Sequence, residues 1–516
     1  MARGKSTMKE TEQQDQFDQT DRVNSDDENY QAQFSDDDYT EDICSDDLVY
    51  PGLIMNDTYV ILKKIGYGKN AHVWMVYAYK IDKYVAMKIQ DHEVYNDGCR
   101  EVKIHKAIYN ATLNSKEDIH VARMLDFFIY QSDETKFVCS IYDLYAHGLH
   151  ILLQSGKLKY GIQINIVKNI CTQILLGLKF LHETVNVIHC DLKPANILFQ
   201  GHMNSNIKAI HSFEESGFRE KYIDLSSKYK NDYKKLEQEL EELARESVKE
   251  IDQNDIEKDE HKENIKDEIE EEEYLSDTND DDDDEIEIMY DESDLHNKRT
   301  QSVPDLTQYL NDVEIHNLDE FYEFEEVLNR RALGISTDNE TIVDDKYIED
   351  CKIAITDFGN SYFAEKRSST MEVQDRFYRA PEVILNFQYS YECDIWSLGC
   401  IVYELLTGFI LFEPEIQPAT KDIHHLFLME KLLGPMPVTF KKQSKRRDFL
   451  FDSKRNYHIK NTKEFQQYPL KDRLIKQFMF SENEAEECSE FILACLVYNP
   501  KKRPSAAQLL EHPWLK

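Results

Sequence analysis

The sequence predicts an α+β fold: a β-rich first part, a helical second part, and two acidic attachments outside the core. Three observations predict it. Runs rich in Val, Ile and Tyr crowd residues 59–144, a long helical stripe follows at 166–182, and the charge is spread unevenly. The formal net charge is −38, yet residues 1–50 hold 15 acids against 4 bases and residues 201–345 hold 46 against 16, so the remainder is close to neutral. Length alone allows about two to four domains. The charge partition reduces this to one near-neutral body, 53–200 joined to 346–516, interrupted by an acidic insert at 201–345.

Residues 1–52 are rich in Asp, Gln and Ser and poor in aliphatics, so they are predicted to be a disordered tail that cannot offset its ordering entropy. Tyr59 to Ile65 reads as a strand running into Gly66-Tyr67-Gly68, and Lys83 to Ile89 reads as a second β-rich run. Phe137 to Leu144 reads as a buried strand. Apolar residues at 166, 167, 170, 174, 175, 178 and 181 form one face of a helix. In the insert, Leu236, Leu240 and Leu243 predict one helix over 234–251, and the rest is predicted to be largely disordered, with an unbroken acidic block at Asp280–Asp284. Phe321 to Leu333 is apolar enough to dock. On this reading, deleting about 205–345 is expected to leave a folded protein.

The acidic balance argues against nucleic acid or an anionic membrane as the main partner. The ten cysteines show no CxxC pairing and several sit in apolar runs such as Gly399-Cys400-Ile401-Val402, which predicts buried free thiols in a reducing compartment. No apolar signal core opens the chain, and no uninterrupted apolar run reaches about 18 residues. The expectation is a soluble intracellular monomer, cytoplasmic or nuclear.

The chemistry centres on Ile188-His189-Cys190-Asp191-Leu192-Lys193-Pro194-Ala195-Asn196. Phosphoryl transfer needs a carboxylate for the substrate hydroxyl proton, a cation for the moving phosphoryl group and an amide oxygen for a metal ion. Asp191, Lys193 and Asn196 offer these in one tight loop. A polar loop before a strand is the simpler reading of this stretch alone. Val85-Ala86-Met87-Lys88 upstream, with Asp357-Phe358-Gly359 and Ala380-Pro381-Glu382 downstream, decides against it.

These four motifs, in this order, resemble the eukaryotic-type protein kinases, and the resemblance covers about 320 residues. It implies a bilobal fold, ATP and Mg2+ as cofactors, and transfer of the γ-phosphate to Ser or Thr of a protein. It implies Asp191 as base and Lys193 as stabiliser of the transferred phosphoryl, with Asn196 and Asp357 as metal ligands. Lys88 would bind the α- and β-phosphates and pair with Glu101. Ile65, Gly66, Gly68, Val73, Ala86 and Leu198 would surround the nucleotide, with Asp143 and Tyr145 in the hinge and Tyr142 guarding the back of the adenine pocket. His105 stands where the family usually packs an aliphatic, which predicts a looser seat for its helix. Asp394 resembles the buried carboxylate that caps the catalytic loop, and Glu382 and Arg503 resemble the ion pair that ties the activation segment to the lower lobe.

Arg376-Phe377-Tyr378-Arg379-Ala380-Pro381-Glu382 is similar to the group holding cyclin-dependent, MAP, dual-specificity and SR protein kinases. Ile65-Gly66-Tyr67-Gly68, Leu411-Phe412-Glu413-Pro414 and a long spacer after Leu198 most resemble the SR protein kinases. Leu426 to Pro437 is also similar to the LAMMER kinases. Two departures stand out. Cys190 replaces the arginine that in many kinases grips a phosphorylated loop. Phe409, His424 and Lys431 stand where the SR protein kinases place the acids of an Arg-Ser docking groove, with Glu413, Glu415, Asp422 and Glu430 nearby. A basic or Arg/Ser-rich protein substrate is the implied partner. The alternative is a pseudokinase scaffold whose acidic insert holds a basic partner.

Overall fold

The computed structural model describes residues 48–251 and 351–516, apart from 69, 114–117, 133–134, 155–160, 202, 231, 250, 367–372, 415–420 and 452–467. The tail before 48, the block at 280–284, the segment 321–333 and Ser368–Thr370 lie outside the described residues.

The first lobe is a six-stranded antiparallel sheet in the order β1-β2-β3-β4-β6-β5. Its strands are β1 (Ile54–Met55), β2 (Tyr59–Gly68), β3 (Ala71–Ala78), β4 (Lys83–Gln90), β5 (Met124–Ser132) and β6 (Thr135–Asp143). Both faces are covered, so β2 reads as a continuous apolar run and not as an alternation. Tyr59 and Ile61 join Trp74, Val76, Val85 and Met87 on one face. Val60 and Leu62 join Met75, Tyr77, Ala86 and Tyr142 on the other. Val49, which the sequence places in the tail, packs into the first face at 4% exposure. The folded body therefore begins ahead of residue 53.

What covers the second face is the main departure from expectation. The insert begins with three helices and not one: α4 (Asn204–Glu215), α5 (Phe218–Lys228) and α6 (Tyr233–Ser247). Phe213, Phe218, Leu240, Leu243, Val248 and Ile251 are buried in one cluster with Val60, Leu62, Tyr77 and Tyr79. Tyr77 meets Phe213 at 5.3 Å and Phe218 at 5.9 Å, and Tyr79 meets Tyr222 at 4.7 Å. Gly52, at φ +86°, admits α6 to the lobe: a Cβ there would stand 2.7 Å from Arg245 Cα. The aromatics of α4 and α5 are spaced among charges and show no clean helical stripe in the sequence, so only α6 is legible there. Residues 204–251 thus belong to the small lobe, and the expected disorder does not hold for them.

The second lobe is helical and is built around α3 (Ile164–Lys179), which continues through a π-turn at Phe180–Val185. Residues 164–185 are long and apolar enough to cross a membrane by length and composition. Here that apolarity is spent inside the lobe, where Ile170, Cys171, Ile174, Leu175 and Leu178 are fully buried. Beside α3 lie α7 (Glu392–Thr407) and α8 (Glu482–Cys495). A capping box of Ser481 and Glu484 starts α8. Arg503 makes a bidentate pair with Glu382, at 2.9 and 3.1 Å, with both side chains fully buried. All nine described cysteines are free, and all but Cys99 are buried.

Candidate active site

Strand β9 (Ile197–Gln200) lies between β7 (Tyr145–Gly148) and β10 (Ile353–Ile355). Antiparallel pairing of Ile197 with Ile355 sets Asn196 beside the turn that carries Asp357. One buried carboxylate shapes the loop before it. Asp394, on α7, accepts the backbone N–H of His189 at 2.8 Å and of Cys190 at 2.9 Å, and lies 2.9 Å from His182 Nε2. These bonds hold Cys190 at φ +65°, a conformation that non-glycine residues rarely adopt. Burial opposes the charge on Asp394, but His182, His189 and the loop amides outweigh it and keep its pKa below the usual carboxylate value. A depressed folded pKa adds stability that is present above the ordinary carboxylate range and is lost as pH falls through the folded pKa. Urea denaturation below about pH 4 should therefore show wild type losing stability more steeply than Asp394→Asn.

Asp191 is 6% exposed. Its Oδ1 accepts the Asp375 N–H at 3.2 Å, and its Oδ2 accepts Asn196 Nδ2 and Asn360 Nδ2, each at 3.3 Å. Lys193 Nζ lies 3.6 Å from Asp191 Oδ2 and 3.3 Å from Asp375 Oδ2. Burial works against the Lys193 charge, but the two carboxylates outweigh it and raise its pKa. The loop therefore holds an anion and a cation side by side, as proton acceptance and phosphoryl stabilisation require.

Lys88, on β4, donates to both oxygens of Glu101 at 3.0 Å and to Asp357 Oδ1 at 2.7 Å. Glu101 lies on α1 (Tyr95–Thr112), is 1% exposed and also accepts Gln90 Nε2 at 2.7 Å. Lys88 holds the Asp357 carboxyl down at about 2 against its burial. Burial disfavours charge on Lys88 too, but Asp357 and Glu101 outweigh it and raise its pKa. The three groups are charged across the physiological range.

No cluster of three or more His, Cys, Asp or Glu suited to a metal occurs among the described residues. A magnesium ion needs less, because it keeps waters and takes substrate phosphates with one or two protein oxygens. Asn196 spends its nitrogen on Asp191 and keeps its oxygen as an acceptor, and Asp357 is anionic and partly exposed. This donor set fits such an ion.

Ala86, Tyr142 and Leu144 cluster with the half-buried Ile65 and Val73 to form an apolar roof. Leu198 lies outside that cluster, half-buried on β9 opposite Gly148. The Asp143 side chain pairs with Lys83 at the surface, so any part it plays in the hinge falls to its backbone. Tyr145 is half-buried, which pushes its hydroxyl up to about 12. A Cβ on Gly66 or Gly68 would meet only ordinary contacts, and neither has positive φ. Glycine here keeps space open above the strand. His105 is not loosely seated: it is 2% exposed, with its ring 5.0 Å from Phe358 and 5.2 Å from Tyr142.

Four contributors were missed in the sequence. Arg100 donates to Asp97 at 2.6 Å and to the Gly359 carbonyl, and its guanidinium lies 4.5 Å from the Tyr362 ring. Asn360 and Asp375 hold Asp191, as above. Gln374, at φ +68°, donates its N–H to Cys190 O at 2.8 Å and its Nε2 to Ser397 Oγ at 2.8 Å. Only adjacency to the recognised motifs could have flagged them.

Comparison with known proteins identifies this geometry. The protein kinase domain family matches residues 59–213 and 341–515. The chain belongs to the protein kinase family. It is a serine/threonine protein kinase of the SR protein kinase type, with its kinase domain split by an insert. The kinase is 44% identical to a chain of Acanthamoeba polyphaga mimivirus named as a serine/threonine-protein kinase, over 97% of this chain and 94% of that one. It is 27% identical to protein kinase dsk1 of Schizosaccharomyces pombe, over 89% of this chain and 80% of that one. It is 24% identical to SRSF protein kinase 3 of Mus musculus, over 90% and 87%.

Proposed function

We propose that this kinase transfers the γ-phosphate of Mg-ATP with Asp191 as base, Lys193 steadying the moving phosphoryl group, and Lys88, paired with Glu101, placing the nucleotide phosphates. Asn196 and Asp357 would hold magnesium, which supplies charge neutralisation when bound. The observation that carries this reading is the joining of Lys88, Glu101 and Asp357 by contacts of 2.7 to 3.0 Å, although they come from three separate motifs. Positioning and charge, with little covalent chemistry by the protein, are what the reaction demands. The test is phosphate transfer from labelled ATP to a mixed protein substrate, with and without EDTA. Transfer by wild type that is lost with EDTA and in Lys88→Met supports it, and transfer that survives EDTA refutes the metal role.

The substrate we propose is a basic Ser-containing protein, as the name of the mouse relative suggests for that protein. Docking would differ from the Arg-Ser groove of the family. Asp422 is already paired with Arg376 and Arg446, and Glu430 with Lys441 at 2.8 Å. A peptide array that varies Arg content tests this. We further propose that the kinase acts as a monomer inside a cell, in cytoplasm or nucleus.

Activation is expected to need no upstream kinase. Cys190 cannot supply a charged bidentate grip on a phosphate. Arg376 is held by Asp422, and Arg379 donates to Gln374 O at 3.1 and 2.8 Å. Phosphatase treatment of the bacterial product, beside the triple change Ser368→Ala, Ser369→Ala, Thr370→Ala, should leave activity within roughly tenfold. A hundredfold drop in both would mark a switched enzyme.

A further inference from the structure

His105 lies one helical turn beyond Glu101 on α1, and the resembled family usually has an aliphatic there. Its Nε2 is 3.0 Å from the Tyr142 hydroxyl oxygen, and that oxygen is 3.4 Å from Glu101 Oε1. Burial, aided by the nearby Lys88 charge, lowers the His105 pKa to about 3, so the ring is neutral and carries one N–H. Its Nδ1 is buried without a hydrogen-bond partner. A proton on Nδ1 would strand a buried donor, which native interiors tolerate less well than a bare acceptor. The proton therefore belongs on Nε2. From there it is donated to the Tyr142 oxygen, which frees the tyrosine O–H to donate to Glu101. The chain runs His105 to Tyr142 to Glu101, and Glu101 in turn receives Lys88.

We propose that His105 and Tyr142 are positioning residues for phosphoryl transfer: a neutral hydrogen-bonded brace that fixes the Glu101 carboxylate, and through it Lys88, at the nucleotide site. Packing supports the brace from below, since the Phe358 ring lies edge-on between His105 and His189, 5.0 and 5.3 Å away. Glu101 is otherwise free to rotate about its side-chain torsions, and a donated hydrogen bond to a charged oxygen is strong enough to select one rotamer. The proposal rests on Lys88 and Glu101 serving the nucleotide.

The test compares His105→Leu, Tyr142→Phe, the double variant, His105→Gln and Lys88→Met by steady-state kinetics against ATP and by thermal unfolding. His105→Leu and Tyr142→Phe should each raise KM for ATP roughly tenfold. The double variant should be no worse than either single change, because both cut one chain. His105→Leu should melt at or above the wild-type temperature, because it removes an unpaired buried nitrogen. His105→Gln, which keeps a side-chain N–H donor, should recover most of the affinity. Wild-type KM and kcat in His105→Leu, or an activity loss that only follows a lower melting temperature, would overturn the brace. An inactive Lys88→Met beside a normal His105→Leu confines the failure to the brace. An active Lys88→Met overturns the underlying reading as well.

Discussion

Asp191→Asn is expected to lower kcat by three orders of magnitude or more while the melting temperature stays close to that of wild type. The amide is nearly isosteric and can keep one oxygen for the Asp375 N–H, which now binds Asp191 Oδ1 at 3.2 Å. It cannot accept the substrate hydroxyl proton. It also removes the negative charge that sits 3.6 Å from Lys193 Nζ. A loss of about 4 kcal/mol of transition-state stabilisation corresponds to roughly a thousandfold in rate. The fold should tolerate the change, because the loop is held by Asp394 from below and not by Asp191. Single-turnover assays beside differential scanning fluorimetry test both halves. Activity retained within tenfold would remove Asp191 from the role of base. Turnover in wild type that vanishes in this variant also sets aside the scaffold alternative.

The second large effect concerns the insert, where two deletions should behave in opposite ways. Removing 252–345 joins ends that already tolerate a long connection. Closure entropy changes only logarithmically with length, so activity and melting temperature should stay near wild type. Removing 204–345 also takes α4, α5 and α6. Phe213, Phe218, Leu240 and Leu243 are each at most 7% exposed, and each fully buried side chain of this kind contributes about 1.5–3 kcal/mol. Their loss would also bare Tyr77, Tyr79 and Val60. The sum rivals the entire stability of a typical domain, about 5–15 kcal/mol. The larger deletion should be insoluble or lack a folded small lobe. Equal soluble yield and equal melting temperature for the two products would refute the packing role of the helices.

The motifs made the site legible because its chemistry rests on residue types at short fixed spacings. Asp191, Lys193 and Asn196 fall within six residues, and the strands around Lys88 carry strong β-branched runs. What stayed hidden depends on contacts between distant segments. Gln374 and Asp375 look like ordinary polar loop residues until folding brings them to Cys190 and Asp191. His105 looks like a defect in an apolar pattern, and it becomes intelligible only when Tyr142 is found within hydrogen-bonding distance. In α4 and α5 the overall acidity of the insert masks four aromatics, Phe213, Phe218, Tyr222 and Tyr229, that a composition-based reading averages away.

The pairing of β9 with β10 joins residues 197–200 to residues 353–355 across the whole insert. This separation orders events as the chain leaves the ribosome. By the time Ile251 has emerged, the small lobe has every layer it needs: β1 to β6, α1, and the helices that cover its second face. It can bury its aromatics before the rest of the kinase is made. β9 has no such partner then, and its exposed edge must wait about 150 residues of synthesis for β10, which at roughly 5–20 residues per second is about 10–30 seconds. A run of acidic residues between the two, strongly self-repelling and resistant to strand pairing, keeps that waiting edge from finding a wrong partner.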